Sequence, residues 1–180
     1  MPALGRARRL AGYTRARSWG LLYRGVEVGR RVQVGRGCRL VLEPGAQLVL
    51  ADHCAIDDGS TLAVYRNGRI VVGTGSFVGH HATVAARESV ELGARTFLAE
   101  LVSVRDHDHT VGTAPSSGAF AVTPVTIGED VWLGAKVTVL RGAQIGDRTI
   151  VGANGVVRGA LPSDAVAVGA PAKVVRHDTS

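Results

Sequence analysis

The sequence predicts an all-β domain: a coil of short parallel strands built from six-residue repeats, with a short basic N-terminal arm and one excursion loop. Between Ile127 and Val157 an aliphatic residue recurs at every sixth position, as Ile127, Leu133, Val139, Ile145, Val151 and Val157. Glycine follows four of them directly, at Gly128, Gly134, Gly146 and Gly152. The fifth residue of each hexad is small or β-branched (Val131, Val137, Ala143, Thr149, Gly155) until Leu161. Neither a helical period of 3.6 nor a strand alternation of 2 generates this phase by itself. Composition agrees: among 180 residues there are 24 glycines and only 4% aromatics, which suits tight turns rather than a bulky core.

Each hexad supplies a short strand and a turn. The aliphatic and the fifth residue face inward, and glycine or another compact residue fills the turn. Three hexads, about 18–20 residues, carry the chain once around a triangle, and successive coils stack about 4.8 Å apart. Burying each aliphatic contributes about 1.5–3 kcal/mol.

Residues 1–25 lack the repeat. Leu10, Tyr13, Trp19, Leu21 and Leu22 stand among arginines, so a part-helical arm is expected. It packs on the end or side of the coil or on a neighbouring subunit, or it rests on an anionic membrane surface. It has no apolar run of the kind a secretory signal needs. Repeats start near Val26, at Val28-Gly29 and Val34-Gly35, and resume at Ile56, Leu62, Val78, Val84, Leu92, Leu98 and Val104. Between these runs the phase slips by two residues, at 40–42, 48–50, 70–72 and 90–92, which widens a corner without breaking the coil. Residues 107–124 lose the pattern and read as an excursion loop rich in Gly, Ser, Pro and Thr. The coil domain spans residues 26–176, and 177–180 form a tail.

The net charge of +6 is concentrated at one end. Residues 1–31 hold eight arginines (Arg6, Arg8, Arg9, Arg15, Arg17, Arg24, Arg30, Arg31) against Glu27 alone, whereas the remainder is close to neutral. A nucleic-acid reading of the whole domain is therefore weak. Cys38 and Cys54 form no metal or redox motif and read as free, buried thiols in a reducing cytoplasm.

The segment VTIGEDVWLGAKVTVLRGAQIGDRTIVGANGVVRG, with VAVGAPAKVVR after it, resembles the hexapeptide-repeat O-acetyltransferases. That family includes galactoside, maltose, virginiamycin and polysaccharide-modifying enzymes. The resemblance implies a left-handed parallel β-helix, a homotrimer, and acetyl-CoA as cosubstrate between subunits, with no metal required. Aligning LAELVSVRDHDH places the family's catalytic histidine on His109. Such an imidazole, titrating near neutrality, would take the proton of an acceptor hydroxyl, oriented by Asp106 or Asp108. The backbone N–H of Ala135 would meet the thioester oxygen.

The resemblance further puts the acceptor beside Trp132, His107 and Glu100. Where galactoside enzymes carry Pro-Asn this chain has Glu100-Leu101, so their substrate is not carried over. A groove of small residues for the pantetheine arm falls on Gly134, Ala135, Gly152, Ala153 and Asn154. Arg158 stands where relatives have lysine, and Lys173 and Arg176 could meet the nucleotide phosphates. His53, His80 and His81 read as outward turn residues. The expected activity is acetyl transfer to a sugar or glycan hydroxyl, directly within a ternary complex, in the cytoplasm or at its inner membrane surface. Two alternatives remain open. One is a γ-carbonic-anhydrase-like metalloenzyme drawing on His80, His81 and His109; the other is a non-catalytic β-helix scaffold.

Overall fold

The hexads become three stacked faces. In the computed structural model the chain visits face A, then B, then C, and returns to A one coil further on. Residues 2–112, 114 and 117–177 are described, with side chains from Arg8 onward. The Arg6 side chain, Thr113, Pro115 and Ser116 of the expected loop, and residues 178–180 of the expected tail lie outside the described residues.

Face A stacks Val26–Val28, Gln47–Leu50, Arg69–Val72, Ser89–Leu92, Val125–Ile127, Gln144–Ile145 and Ala160–Leu161. Face B stacks Gln33–Val34, Ala55–Ile56, Phe77–Val78, Phe97–Leu98, Trp132–Leu133, Ile150–Val151 and Ala165–Gly169. Face C stacks Arg39–Leu42, Thr61–Val64, Thr83–Ala86, Ser103–Arg105, Thr138–Val139 and Val156–Val157. Pairing within these stacks is parallel and in register, as at Trp132 against Phe97 and Ile150. All six aliphatics of the 127–157 run are buried, and so are the fifth residues from Val131 to Leu161. Buried hydroxyls at that fifth position close onto the neighbouring coil: Ser76 Oγ donates to Gly93 O and Thr96 Oγ1 to Gly128 O, both at 2.7 Å. They are hydrogen-bonded at no cost in unsatisfied polarity.

The glycine that follows the aliphatic has a different reason than turn freedom. The left-handed backbone falls two residues later, on Asp130 (φ 55), Lys136 (φ 61), Arg148 (φ 56) and Asn154 (φ 60). The glycine is set by stacking: a Cβ on Gly93 would sit 2.5 Å from the Gly128 carbonyl carbon, closer than any side-chain carbon tolerates. The phase slips resolve as strand lengthening. Strands of faces C and A grow from two residues to four on both sides of their shared corner in the early coils. Leu48 therefore pairs 22 residues after Val26, against 18 from Ile127 to Ile145. The extra chain builds up one wall, at the corner between faces C and A.

A 21-residue helix, α1 (Pro2–Leu22), packs on the first coil. Gly12, Ala16 and Gly20 turn toward the coil, where Ala16 is buried and Gly20 lies near Val28. Arg15 Nε donates to the carbonyl of Val34 at 2.8 Å, occupying an acceptor on the open strand edge. At the other end the chain leaves the hexad but not the sheet. Ala172–His177 folds back antiparallel on Ala165–Gly169 and extends face B. Cys54 is fully buried, and Cys38 is half-buried with its thiol donating to Asp57 O at 3.1 Å; both are free.

Candidate active site

The wall between faces C and A carries the Asp-His-Asp-His segment. The chain leaves face C after Arg105 and forms an antiparallel hairpin, His107–His109 against Phe120–Val122, before rejoining face A at Val125. Asp106 is the pivot. It is completely buried, and its carboxylate accepts the backbone N–H groups of Arg87, Glu88 and Ser89 at 2.7–3.0 Å. Its Oδ1 also lies 2.8 Å from His107 Nδ1. A carboxylate that accepts from the ring requires the proton on Nδ1, and in the neutral imidazole that leaves the lone pair on Nε2. The His107 ring is largely enclosed and meets Tyr65 and Phe120 edge-on, at 5.4 and 5.5 Å.

His109 is two residues along the same strand and so shares a side with His107. It is exposed and lies 4.5 Å from the Phe120 ring. It lines a cleft of about 550 Å³ together with Asp108, Leu140, Arg141, Arg158 and Gly159. The expected orienting partners are engaged elsewhere: Asp106 serves His107, and Asp108 pairs with Arg141 at 3.3 Å. This corrects the expectation that either carboxylate holds His109.

Three residues of this wall escaped the sequence reading. Arg87 lays its guanidinium over Phe120 at 3.7 Å and over Tyr65 at 4.5 Å, a cation held between two π faces. Its Nε is buried with no hydrogen-bond partner among the described residues. Tyr65 and Arg87 are 22 residues apart, the coil length of this wall, and that spacing was a legible signal.

The other candidates lie at the corner between faces B and C. Turns stack there in a column: Lys136 N–H donates to Glu100 O, and Asn154 N–H to Ala135 O, each at 2.9 Å. Glu100, Gly134, Ala135, Gly152, Ala153 and Asn154 all belong to this column. The N–H of Ala135 enters no backbone hydrogen bond among the described residues. Trp132 stands on the outer surface of face B, 52% exposed, beside the stacked rings of Phe97 and Phe77. Lys173 and Arg176 are exposed on the last strand of the same face. Only Arg158 joins the histidines at the C–A corner.

His80 and His81 also sit at the B–C corner, exposed, with His80 Nε2 2.9 Å from Asp57. Both are outward turn residues, as is His53. Among the described residues no three His, Cys, Asp or Glu side chains converge on a point that could hold a metal ion.

Residues 124–159 match the bacterial transferase hexapeptide family (six repeats). A protein of Escherichia coli named as a lipopolysaccharide biosynthesis O-acetyl transferase, WbbJ, is 32% identical over 162 residues, covering 80% of this chain and 83% of that protein. The chain belongs to the hexapeptide-repeat transferase family. A Mycobacterium tuberculosis protein named as an acetyltransferase is 35% identical over 150 residues, 81% of this chain but only 50% of its own length. This hexapeptide transferase therefore spans about half of that relative. Its fold superposes on AntD, an N-acyltransferase from Bacillus cereus solved with dTDP and coenzyme A, with a TM-score of 0.77 at 17% identity over 89% of this chain and 88% of that one.

Within this chain the expected site is divided between two corners. His107 and His109 occupy the C–A corner, and the Ala135 column occupies the B–C corner, with face C between them.

Proposed function

We propose that the protein is an acetyl-CoA-dependent O-acetyltransferase acting on a sugar or glycan hydroxyl in the cytoplasm. The observation that carries this reading is the Asp106–His107 pair on the wall of a hexapeptide-transferase coil. The names of the relatives support the acetyl group and the glycan acceptor, and CoA in the AntD complex supports the cosubstrate. His107 is the base, because its Nδ1 is committed to a carboxylate and its Nε2 can accept. The acceptor oxygen attacks the thioester carbonyl as Nε2 takes its proton. The C–S bond then breaks, and the departing CoA thiolate recovers that proton from the imidazolium. His109, exposed on the same side, holds the acceptor hydroxyl. These two roles are exchanged relative to the alignment-based expectation, for the stated reason of the carboxylate contact.

The division of the residues between two corners favours a trimer in which the C–A corner of one protomer faces the B–C corner of the next. The Ala135 N–H then meets the developing oxyanion across the interface. Trp132 borders the acceptor. Gly134, Gly152, Ala153 and Asn154 form a flat groove for pantetheine, and Arg158, Lys173 and Arg176 offer cations to the nucleotide phosphates.

His107→Ala should lower turnover by about 10²–10⁴ while calorimetric CoA binding survives. His109→Ala should act mainly on the acceptor KM. The reverse pattern would return the base to His109, and near-full rates in both variants would sink the mechanism. Mixed oligomers of His107→Ala and Trp132→Ala chains should regain activity if sites are shared. Failure to regain it, with a monomer by light scattering, would reject the interprotomer site.

A further inference from the structure

Helix α1 leaves a face unpartnered. It lies against the first coil through Gly12, Ala16 and the half-buried Trp19, so its opposite side points away from the coil at that end. Leu10, Arg17 and Leu21, spaced i, i+7 and i+11, fall along one flank of the helix, roughly 100–140° round from Ala16, where Leu10 and Arg17 border Val28 and Val32 and Leu21 borders Val26. Leu10 is 68% exposed and Leu21 87%, and Leu22 at the helix end and Tyr23 just beyond it are exposed too. Arg17, Arg24 and Arg31 are exposed on this side, and Arg9 is exposed on the other flank, near Gln33 and Val34. The helix itself contains no acidic residue. Nearby carboxylates are already occupied: Asp52 by Arg30 at 2.6 Å, and Asp58 by Arg8 at 2.9 Å.

We propose that this face seats the protein on an anionic lipid bilayer. Exposed leucines among arginines match a surface that has phosphate headgroups outside and apolar depth beneath. A nucleic acid would satisfy the arginines but offers no apolar depth for Leu10, Leu21 and Leu22. The proposed contact is peripheral; among the described residues no helix is long and apolar enough to cross a membrane. The surface is built by the fold, because packing of Gly12 and Ala16 on the coil sets Leu10 and Leu21 beside the first coil with their side chains largely exposed. Seated this way, the coil rises from the bilayer and the C–A and B–C corners stay open.

The test is sedimentation with sucrose-loaded vesicles of phosphatidylcholine alone or with about 30 mol% phosphatidylglycerol, at low and high salt. The protein should pellet with the anionic vesicles only, less so at high salt. Arg9→Gln/Arg17→Gln/Arg24→Gln should lower partitioning by about 10²-fold, at roughly fivefold per charge. Leu10→Ser/Leu21→Ser should lower it by about tenfold, with an unchanged thermal melt as the control for folding. Equal recovery from neutral and anionic vesicles, or no pelleting at all, would overturn the proposal. So would a leucine variant that binds vesicles and heparin as tightly as the parent, which would mark a simple polyanion site.

Discussion

Replacing Asp106 by asparagine separates the two jobs of that carboxylate. In the native protein Oδ2 accepts from Arg87, Glu88 and Ser89, while Oδ1 faces Arg87 N–H and His107 Nδ1. Asparagine keeps three acceptor contacts only by placing its oxygen at the Oδ2 position, which puts the amide NH2 at the Oδ1 position. Three hydrogen bonds then lose charge assistance, worth about 1 kcal/mol each, or about 3 kcal/mol together. For a domain of this size that lowers Tm by about 6–12 °C. The NH2 would also donate to His107 Nδ1, moving the ring proton to Nε2 and removing the base. Turnover should fall about 10²–10⁴-fold with little change in the KM for acetyl-CoA. The assays are a circular-dichroism melt and thiol release from acetyl-CoA, run well below Tm. A Tm loss under about 2 °C would refute the clamp. A rate within about threefold of the parent would refute the tautomer argument, whatever happened to Tm.

Two further outcomes follow from packing. Gly93→Ala should destabilise by about 1–3 kcal/mol, because its Cβ meets the Gly128 backbone at 2.5 Å and neither coil can yield. Gly12→Ala should stabilise by up to about 1 kcal/mol, because its Cβ would find only ordinary contacts at 3.5 Å and alanine favours helix. Opposite signs in paired melts check both, and a loss in each would show that α1 packs more tightly than described. Burial pushes the Cys54 thiol up to about 12, so at pH 8 it should not react with a disulfide reagent until denaturant is added. Two fast thiols in the native protein would contradict the buried position.

How much of the wall was legible can be traced residue by residue. Val131, Leu133 and Val139 announced their inward positions through spacing alone, since a hexad has only one register that buries both its aliphatic and its fifth residue. The Asp-His-Asp-His segment stood out as the place where that spacing stops. What the spacing did not reveal is which carboxylate meets which imidazole. Asp106 and Asp108 are equivalent as letters, yet one turns inward beneath the Arg87–Ser89 turn and the other outward to Arg141. Tyr65 and Arg87 were missed because their relation to Phe120 runs across coils. The slips at 40–42 and 70–72 were visible, but their common corner was not.

The sequence by itself determined the coil, the inward ladders, the interruption at residues 107–124 and the basic arm, because each is a local pattern repeated or broken along the chain. The tertiary structure decided what stacking brings together. It put Asp106 on His107, since three backbone N–H groups of another coil hold that carboxylate in place. It put the histidines and the Ala135 column on different corners, since each corner collects turns from coils far apart in sequence. It left the leucines of α1 exposed beside the first coil, since the small residues Gly12 and Ala16 are the ones that fit against it.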